Sequence, residues 1–306
     1  MGDDCDVKLS KAERREQRDI QVTDNLLRLS FSTHQEFLDY VGANRQFLTD
    51  VWHLHETLGN QEARLEFQGI CDLCDRRTTY SITPYPTPNG IFKYQANWWA
   101  ALVCGCGQNT TSRASFRAFL DAGFQPTDRI YHVGQYSPFA NMIRERAPGV
   151  TTSQYDANRK NGEVVDGVRY EDLTSLTFGT GEFDCVIALD ILEHIPDYRA
   201  ALREIARVLR PGGRAVTTFP WLGGNHYQTL TRAELRPDGT INHILPPEYH
   251  GDPAAPTEGI LSFRSFGWQI LDEFREIGFS DAAAKFVFGP VHGHMSLLCP
   301  VIVGVR

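Results

Sequence analysis

One segment, residues 183–220, constrains the fold of this chain more than any other. It reads FDCVIALDILEHIPDYRAALREIARVLRPGGRAVTTFP, and its apolar run at 185–189 has the length and composition of a strand that is covered on both faces. From Tyr198 onward apolar residues recur at helical spacing between charged ones, which indicates a half-buried helix. The Pro-Gly-Gly sequence at 211–213 ends that helix, because proline cannot continue it and glycine accepts positive φ, and a second apolar strand follows. The segment therefore predicts a parallel strand–helix–strand unit.

Charged side chains follow directly after the first of these two strands. They are Asp190, Glu193 and His194. In open α/β sheets, ligands bind outside the carboxyl ends of the strands. We therefore expect these three residues at the mouth of a ligand site.

Two short sequences in this segment carry a resemblance to a known family. They are Leu192-Glu193-His194 after the first strand and Leu209-Arg-Pro-Gly-Gly213 before the second. At this spacing the segment resembles the class I S-adenosylmethionine-dependent methyltransferases of the branch with an LEH turn and an LRPGG sequence. The resemblance covers roughly the C-terminal two thirds of the chain. It implies an α/β fold with a Rossmann-like seven-stranded sheet and helices on both faces, with Asp190 on the cofactor side and His194 facing the acceptor.

The charge, the apolar runs and the cysteine content of the chain argue against several classes of protein. The formal net charge of −8 argues against a nucleic-acid binder, which depends on clustered Lys and Arg to neutralise phosphates. The N-terminus lacks the apolar core of a signal peptide, and no apolar run is long enough to span a bilayer, so we expect a cytoplasmic protein with no membrane contact. Seven cysteines in such a chain favour free thiols or metal ligands over disulfides.

Four of those cysteines have the spacing of zinc knuckles. Cys71 and Cys74 form a CxxC pair, and Cys104 and Cys106 form a CxC pair further along. Two thiolates separated by a tight turn can converge on one tetrahedral ion, and a second turn completes the coordination. Four cysteine ligands leave no open position, so the sequence predicts a structural Zn²⁺, with buried free cysteines as the alternative. In the resemblance, some small-molecule methyltransferases carry such an N-terminal zinc module beside the acceptor pocket or at a dimer interface.

The rest of the N-terminal third has helical patterns. Residues 8–30 indicate a loose helix, and residues 34–59 indicate one long or two short helices that face a core. Together with the zinc-ribbon-like part they define a smaller module over 1–110, followed by the Rossmann-like domain over 111–306. Helices that are apolar on one face and lie outside the main domain favour a homodimer.

The first strand of the main domain, residues 129–133, leads into Gly134, Gln135 and Tyr136. In the resembled family this turn holds a GxGxG sequence over which the methionine part of the cofactor lies, because close backbone approach requires residues without a β-carbon. Only Gly134 is present here, so the turn departs from the family pattern.

Two further strand ends supply the other expected cofactor contacts. The strand at 150–156 ends in polar residues that can accept hydrogen bonds from ribose hydroxyls, with Asp156 favoured over Gln154. Residues 168–173 match the end of the third strand, where the resemblance places Asp172 against the adenine amine; a loop or helix-cap role is the alternative. The expected S-adenosylmethionine contacts are Gly134, Gln135, Tyr136, Gln154, Asp156, Asp172, Leu173 and Asp190.

A long connection follows the LEH unit, over about residues 221–262. It is rich in Gly, Pro, Asn and His, and it is too long for an ordinary connection, which predicts a lid over the acceptor. Its candidate acceptor contacts are Trp221, His226, Tyr227 and Tyr249. A helix at 265–278 and strands at 283–288 and 297–305 are expected to complete the sheet.

Methyl transfer from a sulfonium is an in-line displacement, so alignment is most of the enzyme's task. For a hydroxyl acceptor the candidate proton acceptors are His194, His243 and His250, each with loop orientation as its alternative role, and a carboxylate acceptor needs no base. The expected function is O-methylation, at a hydroxyl or a carboxylate, of a small molecule in secondary metabolism. N- or C-methylation of a natural product or sugar, and a non-catalytic Rossmann-like binding module, are the alternatives.

Overall fold

A computed structural model describes residues 26–87, 93–252, 255–296 and 299–306. Residues 8–25 of the helix predicted at 8–30, and residues 297–298 of the last predicted strand, lie outside the described residues. The helices are α1 (His34–Ala43), α2 (Arg45–Gly59), α3 (Thr110–Asp121), α4 (Pro138–Arg146), α5 (Tyr198–Val208) and α6 (Gln269–Ile277), with 3₁₀ turns at Leu192–His194 and Pro290–His292. The strands are β1 (Leu27–Phe31), β2 (Leu65–Cys71), β3 (Arg76–Ile82), β4 (Tyr85–Pro86), β5 (Tyr94–Gln95), β6 (Val103–Cys104), β7 (Ile130–Val133), β8 (Thr151–Ser153), β9 (Val164–Val165), β10 (Val168–Arg169), β11 (Phe183–Leu189), β12 (Leu209–Thr218), β13 (Leu230–Thr231), β14 (Ala233–Leu235), β15 (Ile241–His243), β16 (Tyr249–Asp252), β17 (Ala255–Leu261), β18 (Arg264–Ser265), β19 (Asp281–Phe288) and β20 (Val301–Val305).

A seven-stranded sheet forms the centre of the protein, in the order β1-β19-β20-β12-β11-β7-β8. β8, β7, β11 and β12 run parallel to one another, whereas β20 is antiparallel to both β12 and β19. The carboxyl ends of the four parallel strands therefore meet at one edge of the sheet. That edge carries the turns that the sequence predicts to bind ligands.

Helices cover both faces of this sheet. Successive strand residues alternate between two hydrophobic clusters, with Tyr131, Val186 and Ala215 in one and Ile130, Ile187 and Val216 in the other. The first cluster includes the apolar faces of α5 and α6, and the second includes those of α3 and α4. The α/β fold with a Rossmann-like sheet and helices on both faces is confirmed.

The two edges of the sheet differ from the sequence prediction. Residues 27–31 form β1, antiparallel to β19, so the helix predicted there is wrong; their exposure alternates along the strand, as expected for one covered face. The segment at 168–173, where the sequence places the end of a third strand, adds only a single parallel bridge, Gln154 with Tyr170, just after the end of β8. β10 pairs with β9 in a hairpin, so this segment is not a full strand of the central sheet.

Side-chain hydrogen bonds tie this segment to the loop that follows it. Glu171 is buried, and it accepts hydrogen bonds from Arg169 Nε at 2.7 Å and from the Thr177 backbone N–H at 3.0 Å.

The N-terminal part packs against the main sheet. Residues 34–59 form two helices, α1 and α2, and β2, β3 and β6 form a three-stranded sheet. Tyr80 in β3 is fully buried, its hydroxyl donates to the His292 carbonyl at 2.8 Å, and the Arg113 guanidinium lies 4.6 Å from its ring centroid. The cysteine-bearing sheet thus shares one hydrophobic cluster with the central strands.

The connection at 221–262 contains three small antiparallel pairs, β13 with β18, β14 with β15, and β16 with β17. The β16–β17 pair returns to the LEH turn, where the Phe263 N–H donates to the Glu193 carbonyl at 2.8 Å. Among the residues that the structure describes, no helix is long and apolar enough to cross a membrane.

Candidate functional site

The turn after β7 is open to a ligand at Gly134. This glycine has φ +92°, in the region that L side chains rarely adopt, and a Cβ placed on it would meet no atom within 4 Å. Its N–H donates to the Ser153 carbonyl at 3.0 Å, and the next N–H, of Gln135, donates to Gln154 Oε1 at 3.4 Å. Tyr136 is half exposed beside them. The structure therefore brings the predicted residues of two strand ends together around an open backbone surface.

Asp190 occupies the equivalent place after β11, next to β7 in the sheet. Its φ is +52°, which is uncommon for a residue other than glycine and is often found at functional sites. Thr218 Oγ1 donates to Asp190 Oδ1 at 2.9 Å, which holds the carboxylate against the end of β12. Asp190 is accessible to solvent, but the surrounding protein and the nearby Glu193 raise the pKa of its carboxyl to about 7.

Asp156 and Asp172 line one cavity of about 230 Å³. Each carboxylate also closes a local turn: Asp156 Oδ1 accepts from the Asn158 N–H at 2.9 Å, and Asp172 Oδ1 accepts from the Thr174 N–H at 2.8 Å. The loop role weighed for Asp172 is thus present in the structure, and no helix of the described residues begins there to be capped. Leu173 is buried in the hydrophobic cluster on the α5 side of the sheet.

A second group of titratable side chains lies on the 3₁₀ turn and β16. Glu193 is fully buried, and His194 Nε2 and His250 Nδ1 each lie 3.6 Å from its Oε1. The two imidazole centroids are 5.1 Å apart. Burial raises the pKa of Glu193, while Glu193 and, after it, Glu248 raise the pKa of His250 to about 8 against the effect of burial.

His243, the third candidate proton acceptor, is not part of this group. It is exposed in β15, opposite Ala233 of β14. The structure therefore brings together His194 and His250 and leaves His243 on an outer hairpin.

The candidate acceptor contacts are dispersed. Trp221 follows β12 and packs edge-on against Trp268, with ring centroids 5.2 Å apart. Tyr227 donates to Asp272 on α6 at 2.8 Å, and the exposed His226 lies just before it. Tyr249 is 58% exposed and precedes His250 in β16, so the two side chains point to opposite faces of the strand.

The four predicted metal-ligating cysteines meet at one point. The sulfur atoms of Cys71, Cys74, Cys104 and Cys106 all lie within 4.8 Å of one another. The N–H groups of Cys74 and Cys106 donate to the Cys71 and Cys104 sulfurs at 3.4 Å. Hydrogen bonds from Cys106 and Cys71 lower the pKa of the Cys104 thiol.

Sequence reasoning missed two residues that the structure adds to the site. Glu193 was expected at the ligand mouth but without a role, and Glu248 was not among the candidate site residues. Glu248 Oε1 accepts from His250 Nε2 at 3.0 Å. The E-x-H spacing of Glu248 and His250 is visible in the sequence, but the orientation of His250 toward Glu193 is not.

Comparison with known proteins finds a match over the part of the chain that carries this site. Residues 131–217 match the family model described as a methyltransferase domain. The match runs from β7 to β12 and includes Gly134, Asp190 and the LEH turn. These residues are therefore similar to a methyltransferase domain.

Curated relatives match over short stretches. The O-methyltransferase rstn1 of Aspergillus nomiae is 44% identical over 62 residues, which cover 20% of this chain and 27% of that protein. The methyltransferase GfsG of Streptomyces halstedii is 32% identical over 120 residues, which cover 35% and 42%. The chain thus spans less than half the length of these relatives. A solved S-adenosylmethionine dependent methyltransferase from Mesorhizobium loti matches 63% of this chain and 98% of its own, at 15% identity and a TM-score of 0.38.

Proposed function

We propose that this protein is an S-adenosylmethionine-dependent methyltransferase that transfers a methyl group to an oxygen of a small molecule. The observation that carries the proposal is the open turn at Gly134, which lies beside Asp190 at the carboxyl edge of the sheet and within the matched methyltransferase domain. Bound there, S-adenosylmethionine would supply a methyl group that its sulfonium makes electrophilic.

The residues present fit such a cofactor. The space above Gly134 admits close backbone approach, since a Cβ would project into it without touching protein. Asp190, fixed by Thr218, offers a carboxylate next to that surface. Asp156 and Asp172 share the neighbouring cavity, where carboxylates can accept hydrogen bonds from ribose hydroxyls and an adenine amine.

Oxygen is favoured as the methyl acceptor because rstn1 and a second relative, cnsE of Penicillium expansum, which is 42% identical over 74 residues, are both named O-methyltransferases. The chain just after β17 is bonded to the LEH turn, where the Phe263 N–H donates to the Glu193 carbonyl, and we place the acceptor on this side. His194 and His250 are the histidines placed to take a hydroxyl proton there, directly or through water.

The test is binding of S-adenosylmethionine by isothermal titration calorimetry, in the full chain and in Asp190→Ala. Asp166 provides a matched control, because it is an exposed aspartate with nearly the same backbone, φ +51° against +52°. We expect Asp190→Ala to weaken binding at least about tenfold, or about 1.4 kcal/mol, and Asp166→Ala to leave it unchanged. No binding by the wild-type protein would overturn the proposal.

We also propose that the cysteine cluster holds a structural Zn²⁺. Zinc–sulfur bonds of about 2.3 Å place tetrahedral sulfurs about 3.8 Å apart, and the four sulfurs already lie within 4.8 Å. The backbone N–H donors to Cys71 and Cys104 are the outer contacts that orient thiolate ligands.

Metal analysis tests the zinc proposal. Cys74→Ser should lose one equivalent of zinc per chain relative to the wild type, whereas Cys299→Ser, at a similarly half-buried cysteine outside the cluster, should lose none. Equal zinc content in the two variants would contradict the proposal.

A further inference from the structure

Glu193 is a buried acid whose carboxylate oxygens lack a hydrogen-bond partner among the described residues. It has no exposed surface. A buried carboxylate is strongly unfavourable unless a cation or donors compensate it. The buried Arg264 does not supply that compensation directly, because its guanidinium donates to the carbonyls of Ile195 and Pro196 at 2.6 and 2.8 Å.

Two imidazole nitrogens face the same carboxylate oxygen. His194 Nε2 and His250 Nδ1 are each 3.6 Å from Glu193 Oε1. This separation is too long for a hydrogen bond. It is close to the spacing of about 3.4 Å between two ligand atoms on a tetrahedral ion with bonds of about 2.1 Å.

The remote nitrogens of both rings are held as those of metal ligands usually are. His194 Nδ1 lies 2.8 Å from the Leu261 carbonyl oxygen, so it carries the proton and donates it. His250 Nε2 lies 3.0 Å from Glu248 Oε1 and donates in the same way when the ring is neutral. In neutral rings the lone pairs are then on the two nitrogens that face Glu193. A carbonyl or carboxylate behind each imidazole is the common outer contact of metal-binding histidines.

From this geometry we propose that Glu193, His194 and His250 bind one divalent transition-metal ion. Two imidazoles and one carboxylate suit Mn²⁺, Fe²⁺, Co²⁺ or Zn²⁺, whereas Mg²⁺ prefers oxygen ligands throughout. Three protein ligands leave coordination positions open, unlike the closed set of four cysteines. The site is therefore distinct from the cysteine cluster in chemistry as well as in position.

The open positions identify the class of ligand that the ion would accept. An ion with oxygen and nitrogen ligands binds hydroxyl, phenolic or carboxylate oxygens, so the acceptor would carry such an oxygen donor. With the ion bound, the lone pairs of both rings are used for coordination, so the ion would replace a histidine base by lowering the pKa of a bound hydroxyl. This last step rests on the proposed function, because it takes the LEH turn as the wall of the acceptor site. The metal site itself does not depend on it.

Cobalt titration of the full chain, with zinc in the cysteine cluster, tests the metal site directly. Isothermal titration calorimetry counts the ions bound, and visible absorption reports their ligands, since imidazole and carboxylate give weak d–d bands without the thiolate charge-transfer band of a cysteine site. We expect one Co²⁺ per chain of the nitrogen and oxygen type. Glu193→Gln should abolish it, and Glu248→Gln should weaken it by about 10–100-fold. His53→Gln, at a histidine whose side chain is 68% exposed on α2, should bind as the wild type does.

Thermal unfolding separates a metal site from a plain ion pair with protonated histidines. If the site binds metal, Co²⁺ raises the wild-type midpoint and leaves Glu193→Gln unchanged, and the metal-free variant is at least as stable as the metal-free wild type because a buried charge is removed. If Glu193 only pairs with imidazolium, the variant is less stable and Co²⁺ has no effect, which would overturn the proposal. Binding of S-adenosylmethionine by the same samples is measured separately, so a failure of cobalt binding and a failure of cofactor binding can be told apart.

Discussion

Replacing Gly134 by alanine tests whether the cofactor lies over the turn after β7. The residue has φ +92°, so alanine there costs about 1–2 kcal/mol of backbone strain whether or not a ligand binds. The added methyl meets no protein atom within 4 Å, so steric overlap contributes nothing to that cost. The methyl group instead projects into the space in which we place the cofactor.

Gly167 provides the control for the strain. It has φ +78° in the exposed β9–β10 turn, and a Cβ there also meets no atom within 4 Å. Gly167→Ala therefore reproduces the backbone cost without touching the proposed site. We expect both variants to lower the thermal midpoint by a similar amount. In a chain of this length the shift should be no more than about 2–4 °C for each kcal/mol of lost stability.

The two variants should differ in their affinity for S-adenosylmethionine, measured by calorimetry at a temperature at which both are folded. Gly134→Ala should bind at least about tenfold more weakly than Gly167→Ala, a difference of about 1.4 kcal/mol. Equal affinities would refute the placement of the cofactor over this turn, because the strain is matched and only the methyl position differs.

Two further substitutions test the packing of the N-terminal sheet and the base of the central sheet. Tyr80→Phe removes the buried hydroxyl that donates to the His292 carbonyl at 2.8 Å, so the free energy of unfolding in urea should fall by about 1–3 kcal/mol; Tyr85→Phe, at a residue that is 47% exposed, should change it by less than about 0.5 kcal/mol. An equal effect of the two would contradict the docking contact. Burial alone would raise the pKa of Asp184, but hydrogen bonds from Arg210 and Arg129 lower it to about 2 from its ordinary 3.8. A lowered pKa stabilises the fold above the unfolded value and loses that effect as the pH falls toward 2, so Asp184→Asn should cost about 1–2 kcal/mol at pH 7 and little at pH 2; a cost independent of pH would contradict the shift.

Local patterns predicted the parts of the fold that depend on neighbouring residues. The apolar run at 185–189 and the helix from Tyr198 are fixed by periodicity within a few residues. The cysteine pairs converge because each pair lies on its own tight turn. Even there the boundary moved: α5 ends at Val208, and the Pro-Gly-Gly sequence is a bulge at the start of β12 rather than a separate turn.

Features that depend on residues far apart in the sequence could not be predicted from local patterns. β1 has only five residues, and its partner β19 lies some 250 positions later, so its alternation had no visible sheet to join. The approach of His250 to Glu193 depends on three small strand pairs in the lid, each set by pairing rather than by periodicity. Sequence could supply the residue types of the site but not their grouping.

One stretch of backbone, residues 190–194, connects the cofactor side of the candidate site, the proposed metal site and the lid. Asp190 at its start is bonded to the end of β12, and Glu193 at its centre faces the two histidines. The Glu193 carbonyl accepts from the Phe263 N–H, and His194 donates to the Leu261 carbonyl, so the returning lid strand is held to the same turn by two hydrogen bonds. Any displacement of that lid strand must break these bonds or move the turn, and either change alters the position of His194 or the surroundings of Glu193. The lid is therefore a structural part of the proposed metal site and not only a cover for the acceptor.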